Sequence, residues 1–258
     1  MRQPSETTAP HRPQKIPGTG RNIGLARALS KLGFCSRSDA GELIRAGRVR
    51  LNGAVRRDPE SPVHTDRDRI EVDRQAIQPT ARLYMMLNKP RGLVTTASDE
   101  KGRKTIYDSL SRNEAWLAPV GRLDKASEGL LLLTNDSEWA ARILAPEMHL
   151  RKTYHVQIAA VADEVLLKCL QRGIPDRSDH LRATRVRILR HGERNSWLEI
   201  VLDEGKNRHI RRMLNALGIE VLRLVRVAVG PLALGDLAKG TSRPLTPGEK
   251  ASIDRLLH

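Results

Sequence analysis

Residues 121–136 read GRLDKASEGLLLLTND, and this stretch constrains the fold more than any other. Four consecutive leucines, Leu130 to Leu133, run into Thr134 with no polar alternation. Such a segment reads as a strand buried on both faces, so it needs a sheet interior with cover on each side. Directly before it stand Arg122, Asp124, Lys125 and Glu128. Asp124 is expected in the loop at the mouth of this strand, held by a rigid scaffold. Carboxylates so placed serve as nucleophiles, bases or metal ligands, and also as ordinary turn residues. Ser127 and Gly129 read as turn residues that steer the chain into the strand. Glu128 could act with Asp124 as an acid/base pair of the glycosidase kind, although no cluster of sugar-binding aromatics accompanies it.

Around this strand, 82–88, 152–159, 181–189, 196–204 and 220–229 also read as strands. In KTYHVQIA, Tyr154, Val156 and Ile158 alternate onto one face. Helices are expected at 162–172 and 207–217. Several strands follow one another without a helix between them, which predicts an α+β domain with a mixed, largely antiparallel sheet over 82–258. Neither a fixed-period repeat nor a phosphate-binding glycine loop is present; GRNIGLA and DEGKNR are not nucleotide-binding fingerprints.

Residues 1–20 are rich in Pro, Gly and Thr and are expected to form a disordered tail. Residues 21–76 then read as a small separate domain. LARALSKLGF and SRSDAGELIRAGR are two amphipathic helices, the second capped by Ser36 and stopped at Gly47. VRLNGAVRRD follows as a hairpin turning at Asn52-Gly53. From 21 to 57 there are nine Lys/Arg against two Asp/Glu, whereas 58–73 carries six acids and two arginines. Arg37, Arg45 and Arg48 are expected on one face of the second helix, where they would contact phosphates of structured RNA. Residues 74–81 read as a linker.

The whole chain carries 45 Lys/Arg against 30 Asp/Glu, a net charge of +15, and a polyanionic partner is the leading expectation. Only seven aromatics are available, so an RNA-reading platform of several stacked rings is not expected. Cys35 and Cys169 lack metal-ligand spacing and read as reduced packing residues of a cytosolic protein. No segment reaches the roughly 20 apolar residues of a membrane span, and no signal peptide is visible. Downstream, EGKNRHIRRMLNALG places Ile210, Met213, Leu214 and Leu217 on one helical stripe and Arg208, Arg211, Arg212 and Asn215 on another. Three arginines beside a helix N-terminus make an anion site.

Together these pieces resemble the RsuA-type bacterial ribosomal RNA pseudouridine synthases, the group that includes the RluB-like enzymes. The matching stretches are LNKPRGLVTT (87–96), GRLDKASEGLLLLTND (121–136), KTYHVQI (152–158) and EGKNRHIRRML (204–214). Residues 23–73 resemble the small RNA-binding domain named after a ribosomal small-subunit protein. The resemblance implies the pseudouridine synthase fold and the isomerisation of uridine to pseudouridine in ribosomal RNA. It implies Asp124 as nucleophile, Tyr154 as the ring against the target base, and Arg211 as the partner that keeps the carboxylate ionised. Arg122 would contact RNA beside an extruded nucleotide. Lys89 and Arg91 would add backbone contacts, with a charged turn around Pro90 as the plainer alternative, and Arg208 would bind substrate as well. Atoms are only rearranged, so neither cofactor nor metal is called for. His209 stands where many relatives carry Gln, and Lys206 where they often carry Arg. A cytoplasmic monomer acting on ribosomal RNA is expected, NRHIRRM leaning toward the large subunit. The competing readings are a non-catalytic RNA-binding assembly factor and a nucleoside hydrolase using Asp124 and Glu128.

Overall fold

The computed structural model describes residues 22–257 apart from 97, 98, 100, 111–115 and 177. The segment 1–20 expected as a tail lies outside the described residues. The N-terminal unit runs β1 (Ile23–Gly24), α1 (Leu25–Lys31), α2 (Arg37–Arg45), β2 (Val49–Leu51), β3 (Ala54–Arg56), β4 (Pro62–Val63), β5 (Ile70–Val72) and β6 (Gln75–Ala76). Ser36 caps α2 by accepting from the Asp39 N–H at 3.1 Å. Asn52 and Gly53 both take positive φ, 52° and 83°, which a two-residue hairpin with the twist of its strands requires. Leu25, Leu29, Ile44, Val49 and Val72 fill a core of its own.

Two expectations for this unit need correction. Arg48 lies beyond the end of α2, and its guanidinium is taken up by Asp73, with Nε 2.9 Å from Oδ1. Arg37 and Arg45 lie on α2 and are exposed. The supposed linker is partly structured: β6 joins the small sheet in the order β3-β2-β5-β6, and the Thr80 N–H donates back to the Leu32 carbonyl at 3.3 Å. The turn after α1 also meets the larger unit, through Trp116 N–H to the Gly33 carbonyl at 3.0 Å and Lys31 to Glu138 at 2.8 Å.

The larger unit contains β7 (Tyr84–Lys89), β8 (Ala118–Val120), β9 (Glu128–Thr134), α3 (Ser137–Leu144), β10 (Lys152–Ile158), α4 (Glu164–Arg172), β11 (Ile174–Asp176), β12 (Asp179–Leu181), β13 (Arg185–His191), β14 (Ser196–Leu202), α5 (His209–Ala216), β15 (Val221–Val229), β16 (Leu232–Ala233), β17 (Ser242–Pro244) and α6 (Pro247–Asp254). One mixed sheet runs β13-β14-β10-β15-β9-β7-β17, with β8 on β9 and β16 on β15. Every pair is antiparallel except β15 with β9, which meet in parallel over only Val225↔Glu128 and Arg226↔Gly129. The architecture is therefore α+β, and this seam divides the sheet into two halves.

The leucine run behaves as its composition demands. Leu131 and Leu133 enter a core with Leu87, Ile106 and Leu123, while Leu130 and Leu132 enter another with Met86, Trp139 and Val229. Gly129 is not a turn residue but part of β9, at φ +100°. A Cβ there would lie 2.2 Å from the Arg226 carbonyl oxygen, so the close crossing of β9 and β15 requires glycine. The third core packs α4 and α5 on the inner face of β10, β14 and β15. The strand expected over 181–189 divides into β12 and β13, because Ala183 is drawn in to donate to the Leu170 carbonyl on α4 at 2.9 Å. Among the described residues no helix is long and apolar enough to cross a membrane, and both cysteines are free thiols.

Candidate active site

Asp124 sits in the loop ahead of β9, with its carboxylate exposed. What distinguishes this loop is that five consecutive carbonyls, 123 to 127, each accept a hydrogen bond. Leu123 O accepts from Thr95 Oγ1 at 2.7 Å and Asp124 O from Lys89 Nζ at 3.2 Å and the Ser127 N–H at 2.9 Å. Lys125 O accepts from the Gly92 N–H at 2.8 Å, Ala126 O from Arg211 Nη2 at 3.0 Å, and Ser127 O from Lys89 Nζ at 2.9 Å. Backbone acceptors so completely used fix the main chain and leave the Asp124 side chain as the free element. Its carboxylate takes part in none of the ion pairs found among the described residues.

Lys89 thus differs from its expectation as an RNA contact. It is fully buried, and its ammonium also reaches the Pro90 carbonyl at 3.1 Å. Burial pushes its pKa down to about 8, against the attraction of Asp124 and Glu128 and with help from Arg226. It holds the loop from beneath. Arg91, on the next turn, is exposed and acts electrostatically on Arg211.

A cavity of about 610 Å³ opens beside the loop, within the size range of ligand-binding pockets. Asp124, Arg122, Tyr154, Arg208 and Arg211 all line it. A second hollow of about 420 Å³ shares Arg122 and Asp124, so the carboxylate stands between the two. Arg37, Arg45 and Arg48 line neither. Tyr154 projects from β10 on the face of Val156 and Ile158, packed against two cores.

Arg211 does not grip the carboxylate directly, as the expected pairing would have it. Its hydrogen bonds go to carbonyls, Ala126 from Nη2 and Val221 from Nη1 at 3.4 Å, and its buried Nε has no partner among the described residues. Burial pulls its pKa down; Asp124 opposes this, while Arg208 and Arg91 add to it. Arg208 occupies a left-handed conformation, φ 49°, just before α5. Arg212 is not free for an anion: it is held by Asp176 and Asp179, the latter at 2.7 Å. His209 is buried with neither ring nitrogen hydrogen-bonded, and burial lowers its pKa. Glu128 is withdrawn from the cavity. Its carboxylate is nearly fully buried and shared by Arg223 at 3.0 Å and Lys239 at 2.6 Å. An acid/base pair with Asp124 has no structural basis.

Two lining cations escaped sequence reasoning. Arg226 lies buried at the seam, with Nε donating to the Leu130 carbonyl at 2.7 Å. Lys152 stands two residues before Tyr154, its pKa lowered by burial first and by Arg226 second, with Asp203 opposing. A signal for Arg226 existed: an arginine inside the apolar run VLRLVRVAV needs a reason to be there. Among the described residues no group of three or more His, Cys, Asp or Glu side chains is placed to hold a metal ion.

An unpaired carboxylate on a clamped loop, with Arg122, Arg208 and Arg211 lining the same cavity, has the make-up of an enzyme active site suited to an anionic substrate. Residues 83–216 match the family model described as RNA pseudouridylate synthase, and residues 23–70 match that of the S4 domain. A protein of Aquifex aeolicus (strain VF5), described as an uncharacterized RNA pseudouridine synthase, is 38% identical and aligns over 90% of this chain and 93% of its own length. Ribosomal large subunit pseudouridine synthase B of Bacillus subtilis (strain 168) is 36% identical over 87% of this chain and 93% of its own. A crystal structure of a pseudouridylate synthase superposes with a TM-score of 0.62 at 29% identity, covering 91% of this chain and 99% of the other. The chain belongs to the RNA pseudouridylate synthase family and carries an S4 domain ahead of the synthase unit.

Proposed function

We propose that this protein isomerises uridine to pseudouridine at one position, or a few neighbouring ones, in ribosomal RNA. The observation that carries the reading is the exposed Asp124 carboxylate on a loop whose five carbonyls are all engaged, beside Tyr154 in one cavity. The reaction breaks the bond from N1 of the base to C1′ of the ribose, rotates the base, and forms a bond from C5 to C1′. The C5 proton leaves and N1 gains one, so the RNA keeps its mass. None of this is possible inside a stacked helix. The uridine must be extruded into the cavity, at a cost of a few kcal/mol that basic contacts to the backbone offset.

In this reading Asp124 is the nucleophile and Tyr154 packs on the base and assists removal of the C5 proton. Arg211, with Nε unpaired and Nη2 on the Ala126 carbonyl, supplies a positive field to the carboxylate and fixes its loop. Arg122, Arg208 and Arg91 contact RNA around the extruded nucleotide, and Arg37 and Arg45 contact phosphates of a neighbouring stem. The domains divide at 21–76 and 82–258, and the small one raises the local concentration of substrate. The protein works as a cytoplasmic monomer.

Release of tritium from C5-labelled uridine in ribosomal RNA fragments tests the assignment. The wild type should release it and Asp124→Asn should not, while fragment binding stays within about twofold. Turnover by Asp124→Asn would remove the nucleophile. A wild type that binds but never releases tritium would favour a non-catalytic assembly factor, and free uracil would indicate hydrolysis.

A further inference from the structure

The outer face of the sheet, opposite α4 and α5, carries a feature that the reaction does not use. Strand register places Arg190 beside Trp197, Trp197 beside Gln157, and Gln157 beside Arg223. These four side chains form one row across β13, β14, β10 and β15. It spans three strand spacings, roughly 14 Å at about 4.8 Å each. Trp197 is half-buried and belongs to none of the four apolar cores. Arg190 and Arg223 lie over its ring, 5.4 and 5.8 Å from the centroid. Both guanidiniums thus lie within cation–π range of the ring and can extend a stack beyond it.

The charges on this face favour an anion. The adjacent row holds Arg187, Glu199 and His155, with Arg185 nearby. Arg185 and Arg187 share Glu199, each at 2.8 Å, and their bonds keep that carboxylate ionised down to a pKa of about 2. At the other end Arg223 shares Glu128 with Lys239. Five cations therefore face two carboxylates. Arg190 makes no ion pair among the described residues and is exposed, so its charge is available. Gln157 donates to Asn195 Oδ1 at 3.3 Å, and its own carbonyl oxygen accepts nothing among the described residues.

We infer that this face is a second RNA-docking surface, which takes a single-stranded segment of the substrate next to the stem that presents the modified uridine. Bases stack on aromatic rings and on guanidinium planes, an amide reads a base edge, and unpaired arginine holds phosphate. One tryptophan flanked by two arginines supplies all three with far fewer rings than a multi-aromatic platform needs. The inference rests on RNA as the substrate, but on none of the catalytic residues.

The test uses the full chain and the variants Trp197→Ala, Trp197→Phe and Arg190→Glu. Tryptophan fluorescence is followed while a short unstructured oligoribonucleotide is added. Turnover is measured on a ribosomal RNA hairpin with and without its single-stranded flank. Stacking should quench wild-type fluorescence, and Trp197→Phe should bind equally but lose that quench. Trp197→Ala and Arg190→Glu should raise KM for the flanked hairpin roughly tenfold. Their kcat, and their KM for the trimmed hairpin, should match wild type. Arg190→Glu should also flatten the salt dependence of oligonucleotide binding. If Trp197→Ala and Arg190→Glu bind the oligonucleotide and the flanked hairpin as wild type does, the surface does not take RNA and suits a protein partner instead. A quench that survives in Trp197→Phe overturns the stacking equally. Oligonucleotide binding needs no turnover, so failure here is separable from failure of the isomerase reading, which Asp124→Asn decides.

Discussion

Replacing Lys89 with methionine separates anchoring of the catalytic loop from stability. The ammonium is fully buried, and its pKa falls from an ordinary 10.5 to about 8. That difference amounts to about 3 kcal/mol spent on holding the charge inside the folded protein at neutral pH. Methionine removes this cost but strips the Pro90 and Ser127 carbonyls of their donor, at about 1–3 kcal/mol each. The terms largely offset each other, so stability should move by less than about 3 kcal/mol and Tm by less than about 12 °C. Turnover should not be spared. The Asp124 loop loses its anchor at two carbonyls, those of Asp124 and Ser127, and a displacement on the order of 1 Å costs roughly a hundredfold in rate.

The pH dependence follows from the same group. The unfolded lysine titrates near 10.5 and the folded one near 8. Between those values the unfolded chain holds more protons, so this residue makes stability rise with pH across that window. Activity moves the other way, because a neutral amine has two hydrogens for three carbonyls. The wild-type kcat should fall above about pH 8, and that limb should be absent from Lys89→Met. Single-turnover isomerisation at saturating RNA, beside a thermal melt, checks both. A variant with kcat within twofold of wild type, or one whose loss of rate is matched by collapse of Tm, would show that Lys89 is only a packing residue.

Glu128→Ala should cost about 2 kcal/mol, less than the 3–5 of a fully buried pair because Arg223 and Lys239 reach solvent. Its kcat per folded molecule should be unchanged, whereas a hydrolase using this carboxylate would be dead. Burial alone would raise the Glu128 pKa, but the bonds from Arg223 and Lys239 outweigh it and hold the group below its ordinary 4.5. The wild type should therefore lose this stability as pH falls below about 4.5, and an acid titration of the variant should show a shallower decline. Gly129→Ala places a Cβ 2.2 Å from the Arg226 carbonyl oxygen at φ +100°. It should destabilise by at least about 2 kcal/mol in urea denaturation, and a wild-type midpoint would refute the close crossing.

The elements that could be read from the chain were those whose signal is local. Four leucines admit one environment, Asn52-Gly53 one turn, and the expected helices at 162–172 and 207–217 begin within two residues of α4 and α5. Helices α3 and α6 were missed although Asp136 and Thr246 cap them plainly, because α3 shows only Trp139 and Ile143 as a buried stripe and α6 only Ile253. Charged residues were hardest to place. Lys89, Arg48 and Arg212 all read as available cations, yet each is committed to acceptors from a distant segment: the Asp124 and Ser127 carbonyls, Asp73, and Asp176 with Asp179. A pattern records that a residue is charged but not whether tertiary structure has already neutralised it. Arg226 illustrates the converse, a cation that looked like strand filling and lines the cavity.

The parallel seam between β9 and β15 joins residues almost a hundred positions apart, through two pairs only. Asp124 and Arg122 belong to one side of it, Tyr154, Arg208 and Arg211 to the other. Neither side holds both the acid and the ring, so a chain whose two sides have not met lacks a complete site. Chemistry begins only once the two sides have joined along that seam.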